Sequence, residues 1–169
     1  NAGLFSDVLL GDFDSIDSKS LEYIRDNNIP MIKYPIEKDE TDTELGIDKL
    51  IEIGCDEIIL VGATGTRIDH TLANIYLLRN LGNKGIRAKI VDDHNEIYLC
   101  KNLLELPRKD NHYISIIPIT VDGVTVTISG FYYPLYNTNI KFGSTLGISN
   151  KIIDDTGIIK IISGEALII

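Results

Sequence analysis

The pattern of strand and helix signals changes at about residue 95, and this change constrains the fold more than any other feature. Before it, short apolar runs at 8–11, 31–34, 57–62 and 86–92 alternate with amphipathic stretches at 18–27, 41–53 and 69–81. The last two stretches are predicted to be helices that end at Gly54 and Gly82. Strands that alternate with helices predict a parallel sheet with helices packed on its faces. Residues 1–95 are therefore predicted to form an α/β domain with a Rossmann-like parallel sheet.

After His94 only strand signals remain, at 96–100, 113–119, 124–129, 158–163 and 166–169. Gly, Pro, Asn and Asp separate these runs, which is typical of an antiparallel sandwich or barrel. Residues 96–169 are therefore predicted to form a β-sandwich, and the polar segment 101–111 to form a loop. Because each part is small for independent folding, we expect a shared interface or a homodimer.

Composition excludes some partners and indicates a compartment. The formal net charge of -9 argues against a nucleic-acid partner, which requires a basic surface. No apolar run approaches the roughly 20 residues of a membrane span. Cys55 and Cys100 form no metal-binding pattern and are expected to be buried free thiols in a reducing cytoplasm.

Two carboxylates, Asp12 and Asp14, directly follow the first apolar run. Residues two apart in a strand point to the same face, so this spacing predicts that the two carboxylates converge at the end of the strand. Carboxylates held that close repel each other unless a cation lies between them. Mg²⁺ prefers oxygen ligands and usually accompanies a phosphate, so the pair suggests a phosphate-handling enzyme.

A second acidic cluster, residues 37–42, follows the second predicted strand and is expected at the same edge of the sheet. Thr41 and Glu44 have the spacing of a capping box, which predicts a helix start there. Both interpretations are kept: Thr41 caps the helix, and Asp42 faces the site. Lys38 is either a phosphate contact or a solvated counter-charge.

The segment 62–70 connects a buried strand to a helix, a geometry that presents backbone N–H groups to an anion. Gly62 and Gly65 permit close approach, and Arg67 offers a bidentate phosphate contact. The segment is neither a Walker loop nor GxGxxG. Alone it would be an ordinary turn capped by Asp69, but its expected position beside the acidic clusters favours a phosphate site. His70 is either a base or a structural hydrogen-bonding group, the latter being favoured.

The segment 143–150 places small hydroxyl residues between glycines, which usually indicates a loop. The alternative is a cradle in which Ser149 and Asn150 hydrogen-bond a heterocycle. Phe131, Tyr132 and Tyr133 supply aromatic surface upstream. The residues alone favour the loop.

Five segments in this order, GDFDSI, KDETDTEL, GATGTRIDHTLAN, GFYYPL and GSTLGISN, resemble thiamine pyrophosphokinases of the bacterial type. The resemblance covers essentially the whole chain. It implies an N-terminal ATP-binding catalytic domain, a C-terminal β-sandwich, and a homodimer that binds thiamine between subunits. The implied reaction transfers the pyrophosphoryl unit of ATP to the hydroxyethyl oxygen of thiamine, giving thiamine diphosphate and AMP.

The resemblance also implies roles for individual residues. The catalytic residues are Asp12, Asp14, Asp42, Arg67 and Asp69, of which the first three ligate Mg²⁺. The ATP and phosphate positions are Ser15, Lys38, Thr41, Gly62, Thr64, Gly65, Arg67 and His70. The thiamine positions are Ser144, Thr145, Ser149 and Asn150. Asp69 or a metal-site aspartate is expected to accept the hydroxyl proton.

The chain departs from the family pattern in three places. Family members carry an upstream Ala-Asp-Gly-Gly segment, whose Asp contributes to the active site and which has no equivalent here, so either the chain or its site is expected to be incomplete. Thr66 stands where a second glycine is common, and the chain has no Trp to stack on thiamine. The alternatives are a Mg²⁺-dependent phosphohydrolase with Asp12 as nucleophile, and a non-catalytic thiamine- or nucleotide-binding protein.

Overall fold

The computed structural model describes residues 6–14, 16–35, 37 and 39–169 and divides the chain into two compact units. The first unit extends to Cys55 and the second covers residues 56–169. The predicted domain division at residue 95 differs from this boundary and stays a prediction. The chain combines helices with parallel and antiparallel sheets, as the sequence pattern indicates.

The described residues of the first unit form two strands and two helices. Strands β1 (Leu9–Gly11) and β2 (Met31–Lys33) pair in parallel, and helix α1 (Ser18–Asp26) connects them. Helix α2 (Asp42–Glu52) follows β2. It ends as predicted at Gly54, which has a φ of 90°. The backbone N–H groups of Gly54 and Cys55 donate to Ile51 and Leu50, a pattern that closes a helix through a left-handed glycine.

The second unit begins with strand β3 (Glu57–Val61), helix α3 (Ile68–Asn83) and strand β4 (Arg87–Val91). Strands β3 and β4 pair in parallel, as the strand–helix–strand pattern predicts. The prediction that α3 ends at Gly82 was wrong, because the left-handed residue that terminates it is Gly85, with a φ of 77°. Gly82 lies inside the helix, where a Cβ would stand 2.4 Å from the Cδ2 atom of Leu99. It therefore serves close helix–sheet packing.

The rest of the unit consists of strands, as predicted. They are β5 (Glu96–Cys100), β6 (Leu103–Pro107), β7 (Ile116–Pro118), β8 (Val124–Ser129), β9 (Leu135–Ile140), β10 (Thr156–Ser163) and β11 (Ala166–Ile168). One mixed sheet has the order β3-β4-β5-β11-β7, and an antiparallel sheet has the order β6-β10-β8-β9. The mixed sheet thus contains strands from both sides of residue 95.

Two sequence predictions in this part need correction. The segment 101–111 is not a continuous loop, because it contains β6, whose alternating exposure follows the pattern of a strand. Pro107 is tolerated there because β6 lies at the sheet edge and Pro107 is its last residue. Strand β9 was not predicted because its middle, Asn137 to Asn139, is polar and largely exposed.

Buried side chains form two clusters on opposite faces of the mixed sheet. Val126, Ile159 and Ile168 belong to the cluster shared with the antiparallel sheet, whereas Leu78 and Leu167 belong to the cluster under α3. Successive residues of β11 thus face opposite sides, as strand alternation requires. The result is three layers: helix α3, the mixed sheet and the antiparallel sheet.

Cys100 is a buried free thiol as expected, and burial raises its pKa to about 11. Cys55 is also free, but only half-buried. Within the described ranges no helix combines the length and the apolar character needed to cross a membrane.

Candidate active site

The turn after β1 holds the first acidic pair. The backbone N–H of Asp14 donates to the Oδ1 atom of Asp12 at 3.1 Å, and Phe13 between them has a φ of 60°. A left-handed conformation is uncommon for a bulky residue and marks a position that its surroundings constrain. The prediction that strand alternation brings the two carboxylates together was wrong, because β1 ends at Gly11. A turn follows the strand instead, in which the Asp14 backbone bonds the Asp12 carboxylate.

The start of α2 brings a third acid to the same strand end. The Oγ1 atom of Thr41 accepts the Glu44 backbone N–H at 3.2 Å, which confirms the predicted cap. Asp42 is the first residue of the helix, and its Oδ2 atom lies 3.5 Å from where a Cβ on Gly11 would stand. Its carboxylate therefore packs over the backbone of Gly11.

Asp12 and Asp42 line one cavity of about 410 Å³ at the end of β1. Asp17 also lines it, but its carboxylate caps α1 by accepting from the Ser20 backbone, which lowers the pKa of Asp17. In the described part of the chain no three acidic, His or Cys side chains gather closely enough to hold a metal ion. Two carboxylates with room for phosphate and water still fit Mg²⁺, which keeps several waters and takes few protein ligands. Ser15 and Lys38 lie outside the described residues.

The loop between β3 and α3 is fixed by hydrogen bonds to its own surroundings. The Oγ1 atom of Thr64 donates to the Oδ2 atom of Asp92 at 2.9 Å, and the Gly65 N–H donates to Thr71 Oγ1 at 3.1 Å. The Nδ2 atom of Asn74, a buried residue of α3, donates to the Ala63 carbonyl at 2.8 Å. These bonds fix the conformation of the loop before any ligand binds.

Asp92 and Asn74 were not assigned to the site from the sequence. Asp92 closes a turn, because its Oδ1 atom accepts the backbone N–H groups of His94 and Asn95. Those bonds, with the Thr64 bond, lower the pKa of Asp92 to about 2. A signal for Asn74 was available, since an Asn on the inner face of an amphipathic helix must find a hydrogen-bonding partner.

Arg67 and Asp69 form a bidentate pair at the start of α3. The Arg67 Nε and Nη2 atoms lie 3.2 Å and 2.5 Å from the two Asp69 carboxylate oxygens. Hydrogen bonding to Arg67 is the main reason that the pKa of Asp69 falls to about 2. Asp69 is therefore a poor proton acceptor near neutral pH. The alternative of an ordinary turn capped by Asp69 does not hold, because Arg67 is the N-cap residue of α3 and makes no side-chain cap hydrogen bond. His70 is exposed beside the pair.

Asn150 already has hydrogen-bonding partners within the chain, and its expected contact with thiamine stays a prediction. Its side chain is only 8% exposed, donates from Nδ2 to the Tyr133 carbonyl at 2.8 Å, and accepts the Tyr133 N–H at 3.0 Å on Oδ1. Both ends of the amide therefore hold the segment carrying Tyr132 and Tyr133. Those two rings are exposed and meet edge to face, with centroids 4.8 Å apart.

Ser149, Ser144 and Thr145 remain closer to the surface. Ser149 has a φ of 59°, and its backbone N–H donates to the Oγ atom of Ser115 at 3.1 Å. The hydroxyl of Ser144 accepts the Leu146 N–H at 3.2 Å, and Thr145 is exposed. The hydroxyl of Ser149 is thus presented on a strained, fixed backbone next to the segment that Asn150 holds.

Comparison with known proteins matches the whole chain to one family. The family model for the thiamin pyrophosphokinase catalytic domain matches residues 1–90, and that for the vitamin B1 binding domain matches residues 101–168. The thiamine pyrophosphokinase of Bacillus subtilis is 36% identical over 171 residues, covering 100% of this chain and 80% of the relative. Thiamine pyrophosphokinase 3 of rice is 28% identical, and 64% of its length is covered.

Solved structures give the same result. The crystal structure of thiamine pyrophosphokinase from Bacillus subtilis matches with a TM-score of 0.90 and 34% identity, covering 98% of this chain and 78% of that one. The enzyme from Geobacillus thermodenitrificans matches with a TM-score of 0.84 and 31% identity, over 98% and 77% of the two chains. The chain belongs to the thiamin pyrophosphokinase family.

Proposed function

We propose that this protein is an enzyme that transfers the pyrophosphoryl unit of ATP to thiamine, giving thiamine diphosphate and AMP. Family membership over the whole chain supports this activity. The observation that carries it in the fold is the packing of the Asp42 carboxylate over Gly11, in the cavity that Asp12 also lines. The comparisons support neither a phosphohydrolase nor a non-catalytic binding protein.

Asp12 and Asp42, with Asp14 held in the adjacent turn, are proposed to hold Mg²⁺ together with the phosphate oxygens of ATP. The ion would neutralise phosphate charge, and charge neutralisation and positioning make up most of the catalysis of phosphoryl transfer. The protein supplies fixed oxygen donors through the Asp12 turn and the start of α2.

The loop after β3 is proposed to bind phosphate. Arg67 presents a planar guanidinium suited to bidentate contact with phosphate oxygens. We also propose that ATP or its phosphates are contacted by the remaining residues assigned to them from the sequence: Ser15, Lys38, Thr41, Gly62, Thr64, Gly65 and His70. Because the pKa of Asp69 is low, we propose that Asp69 orients Arg67 and that a metal-site aspartate accepts the hydroxyl proton.

For thiamine we propose direct contacts from Ser144, Thr145 and Ser149, with Asn150 acting through the segment it holds. The exposed rings of Tyr132 and Tyr133 supply aromatic surface in a chain that has no Trp. This surface belongs to the part of the chain that matches the vitamin B1 binding domain.

The finer organisation is also proposed. Residues 1–95 would form the catalytic domain on a Rossmann-like sheet, supported by the parallel β1–β2 and β3–β4 pairs. Residues 96–169 would form a β-sandwich that binds thiamine and dimerises, with thiamine at the subunit interface. The buried free thiol of Cys100 fits a reducing cytoplasm.

The test is product analysis with Mg²⁺, ATP and thiamine. Thiamine-dependent formation of AMP and thiamine diphosphate in equal amounts is expected. Formation of ADP instead of AMP, or nucleotide turnover that ignores thiamine, would contradict the proposal. Phosphate release from a monoester without thiamine would favour the phosphohydrolase.

A further inference from the structure

Helix α3 carries Arg67 at its N-cap, and a carboxylate from another element holds its second half. The Nε atom of Arg79 donates to the Oε2 atom of Glu165 at 2.6 Å. Glu165 lies in the turn between β10 and β11, and its Oε1 atom lies 3.1 Å from the Nζ atom of Lys101, which directly follows β5. Lys101 also donates to the Oδ1 atom of Asn83, the last residue of α3, at 2.5 Å. One carboxylate thus joins the helix to the ends of β5 and β11.

The turn that holds Glu165 is itself fixed. The Glu165 carbonyl accepts the Ile119 N–H at 3.0 Å, and the Glu165 N–H donates to the Oγ1 atom of Thr120 at 3.3 Å. The Glu165 side chain is only 17% exposed. Although burial acts to raise the pKa of Glu165, hydrogen bonds from Arg79 and Lys101 hold that pKa below its ordinary value, so the carboxylate is charged at neutral pH. Arg79 therefore bonds a charged partner on a fixed backbone.

The apolar packing of α3 is concentrated in the same half of the helix. Leu78 and Leu81, its fully buried apolar residues, are close neighbours of Arg79 in the chain. Hydrophobic contacts are non-directional, so they hold the helix on the sheet but define its direction less than a charged hydrogen bond does. Arg67 precedes Arg79 by 12 residues, which is about 18 Å of helix. Because Asn74 bonds the loop after β3 to α3, that loop follows the direction of the helix.

Strand β11 also leads to residues 144–150, the segment proposed to contact thiamine. The strand begins one residue after Glu165 and lies between β5 and β7 in the mixed sheet. Ile169, which follows β11, exchanges two backbone hydrogen bonds with Ser115 at 2.7 Å and 3.0 Å. The Oγ atom of Ser115 accepts the Ser149 N–H at 3.1 Å. One strand thus anchors α3 near its start and the 144–150 segment near its end, about 13 Å apart at 3.3 Å per residue.

We propose that Glu165 is a positioning residue that holds Arg79, fixes the direction of α3 relative to β11, and so aligns the loop after β3 with the 144–150 segment. The inference rests on the proposed function, because alignment matters only if both ATP and thiamine bind. Arg79 lies in the part that matches the catalytic domain, and Glu165 in the part that matches the vitamin B1 binding domain. Loss of this link should slow the transfer more than it weakens binding, since each substrate keeps its own contacts.

The test compares Glu165→Gln with the matched control Glu57→Gln, which removes the carboxylate of an exposed ion pair with Arg87 in the same unit. Thiamine-dependent AMP formation is measured in a single turnover, at a temperature at which circular dichroism shows every variant to be folded. Glu165→Gln is expected to lower this rate about tenfold, because a misplacement of about 1 Å costs about a hundredfold and the apolar contacts of α3 remain. The KM values for ATP and thiamine should stay close to those of the unchanged chain, and Glu57→Gln should have no effect.

Two further measurements separate positioning from a general loss of stability. Arg79→Gln should slow the single turnover as Glu165→Gln does, and the double variant should be no slower than either, because all three lack the same hydrogen bond. Residual dipolar couplings of the backbone amides report the direction of α3 relative to the mixed sheet without any turnover. That direction should change in Glu165→Gln and not in Glu57→Gln. Arg79, whose side chain is half-exposed, provides the same comparison if Glu165→Gln does not fold.

Glu165→Gln that matches Glu57→Gln in rate and in helix direction would overturn the inference. A slower single turnover without a change of direction, or a change of direction without a slower turnover, would overturn it as well. Absence of thiamine-dependent AMP formation in the unchanged chain would instead contradict the proposed function. In that case the dipolar couplings still decide whether Glu165 fixes α3.

Discussion

Different kinds of hydrogen bond fix the acidic cavity after β1 and the loop after β3. In the loop, polar groups of Thr64, Gly65 and Ala63 are already bonded to side chains from other elements. Among the described residues of the acidic cavity, a local turn and a helix cap fix the backbone, and the Asp12 and Asp42 carboxylates line the cavity. The loop is therefore tied to other elements by side-chain hydrogen bonds, whereas the turn and the cap of the acidic cavity are local.

The strongest test of this contrast changes the acids. Asp12→Asn or Asp42→Asn is expected to lower thiamine-dependent AMP formation by about a hundredfold or more, because charge stabilisation by a bound group is lost. The thermal midpoint should change little, since both carboxylates line a cavity and neither belongs to the buried core. The matched control Asp26→Asn, at the exposed end of α1, should keep near-normal turnover. A large loss of stability in the acid variants would show that the cavity is structural.

Arg67→Ala tests the phosphate contact and is expected to reduce kcat/KM for ATP by about tenfold to a hundredfold. The pKa of Asp69 should rise from about 2 toward its ordinary value of 3.8, because the hydrogen bond from Arg67 is its largest cause. Steady-state kinetics and an NMR titration of the carboxyl measure the two effects. An unchanged KM for ATP would remove Arg67 from the phosphate site.

Asn74→Ala tests whether the loop is preorganised. It leaves the Ala63 carbonyl without its side-chain donor, which costs about 1–3 kcal/mol for a buried group. We expect a lower thermal midpoint and a several-fold higher KM for ATP, with KM for thiamine unchanged. Asn80→Ala, on an exposed face of the same helix, is the control. Equal behaviour of the two variants would show that the loop does not need this bond.

The smallest effect concerns acid stability of the second unit. Hydrogen bonds from Lys109, Tyr98 and Lys89 lower the pKa of Glu96 from 4.5 to about 2. A lowered folded-state pKa stabilises the fold above the unfolded value, and this contribution is lost as pH falls from about 4.5 to about 2. Glu96→Gln should therefore show a smaller drop of the thermal midpoint across that window. An identical drop in both proteins would contradict it.

Sequence patterns predicted most elements because their signals are local. The Thr41 cap, the Gly54 stop and the limits of β5 and β8 all follow from a few neighbouring residues. Gly82 and Gly85 show where such reasoning fails. Either glycine could end a helix. Only the packing against Leu99 shows that Gly82 is needed inside α3.

Site residues were predictable as residue types, but their partners were not. The acids after β1 are visible in the sequence, yet the turn that joins Asp12 and Asp14 depends on the conformation of Phe13. Asn150 was assigned a ligand from the sequence, but its hydrogen bond to the Tyr133 carbonyl was not predicted. Long-range hydrogen bonds of this kind have no signal in residue spacing.

A packing change at Gly82 would be transmitted along α3 to its opposite end. The helix has 16 residues, which at 1.5 Å per residue makes it about 24 Å long. A side chain added at Gly82 would press on Leu99 at one end of the helix, while Arg67 lies at the other. A tilt of only about 5° would displace the Arg67 end by about 2 Å, more than the misplacement of about 1 Å that costs enzymes a hundredfold in rate. A side chain at this glycine, remote from the chemistry, would displace the guanidinium if the helix gave way rather than the Leu99 side chain.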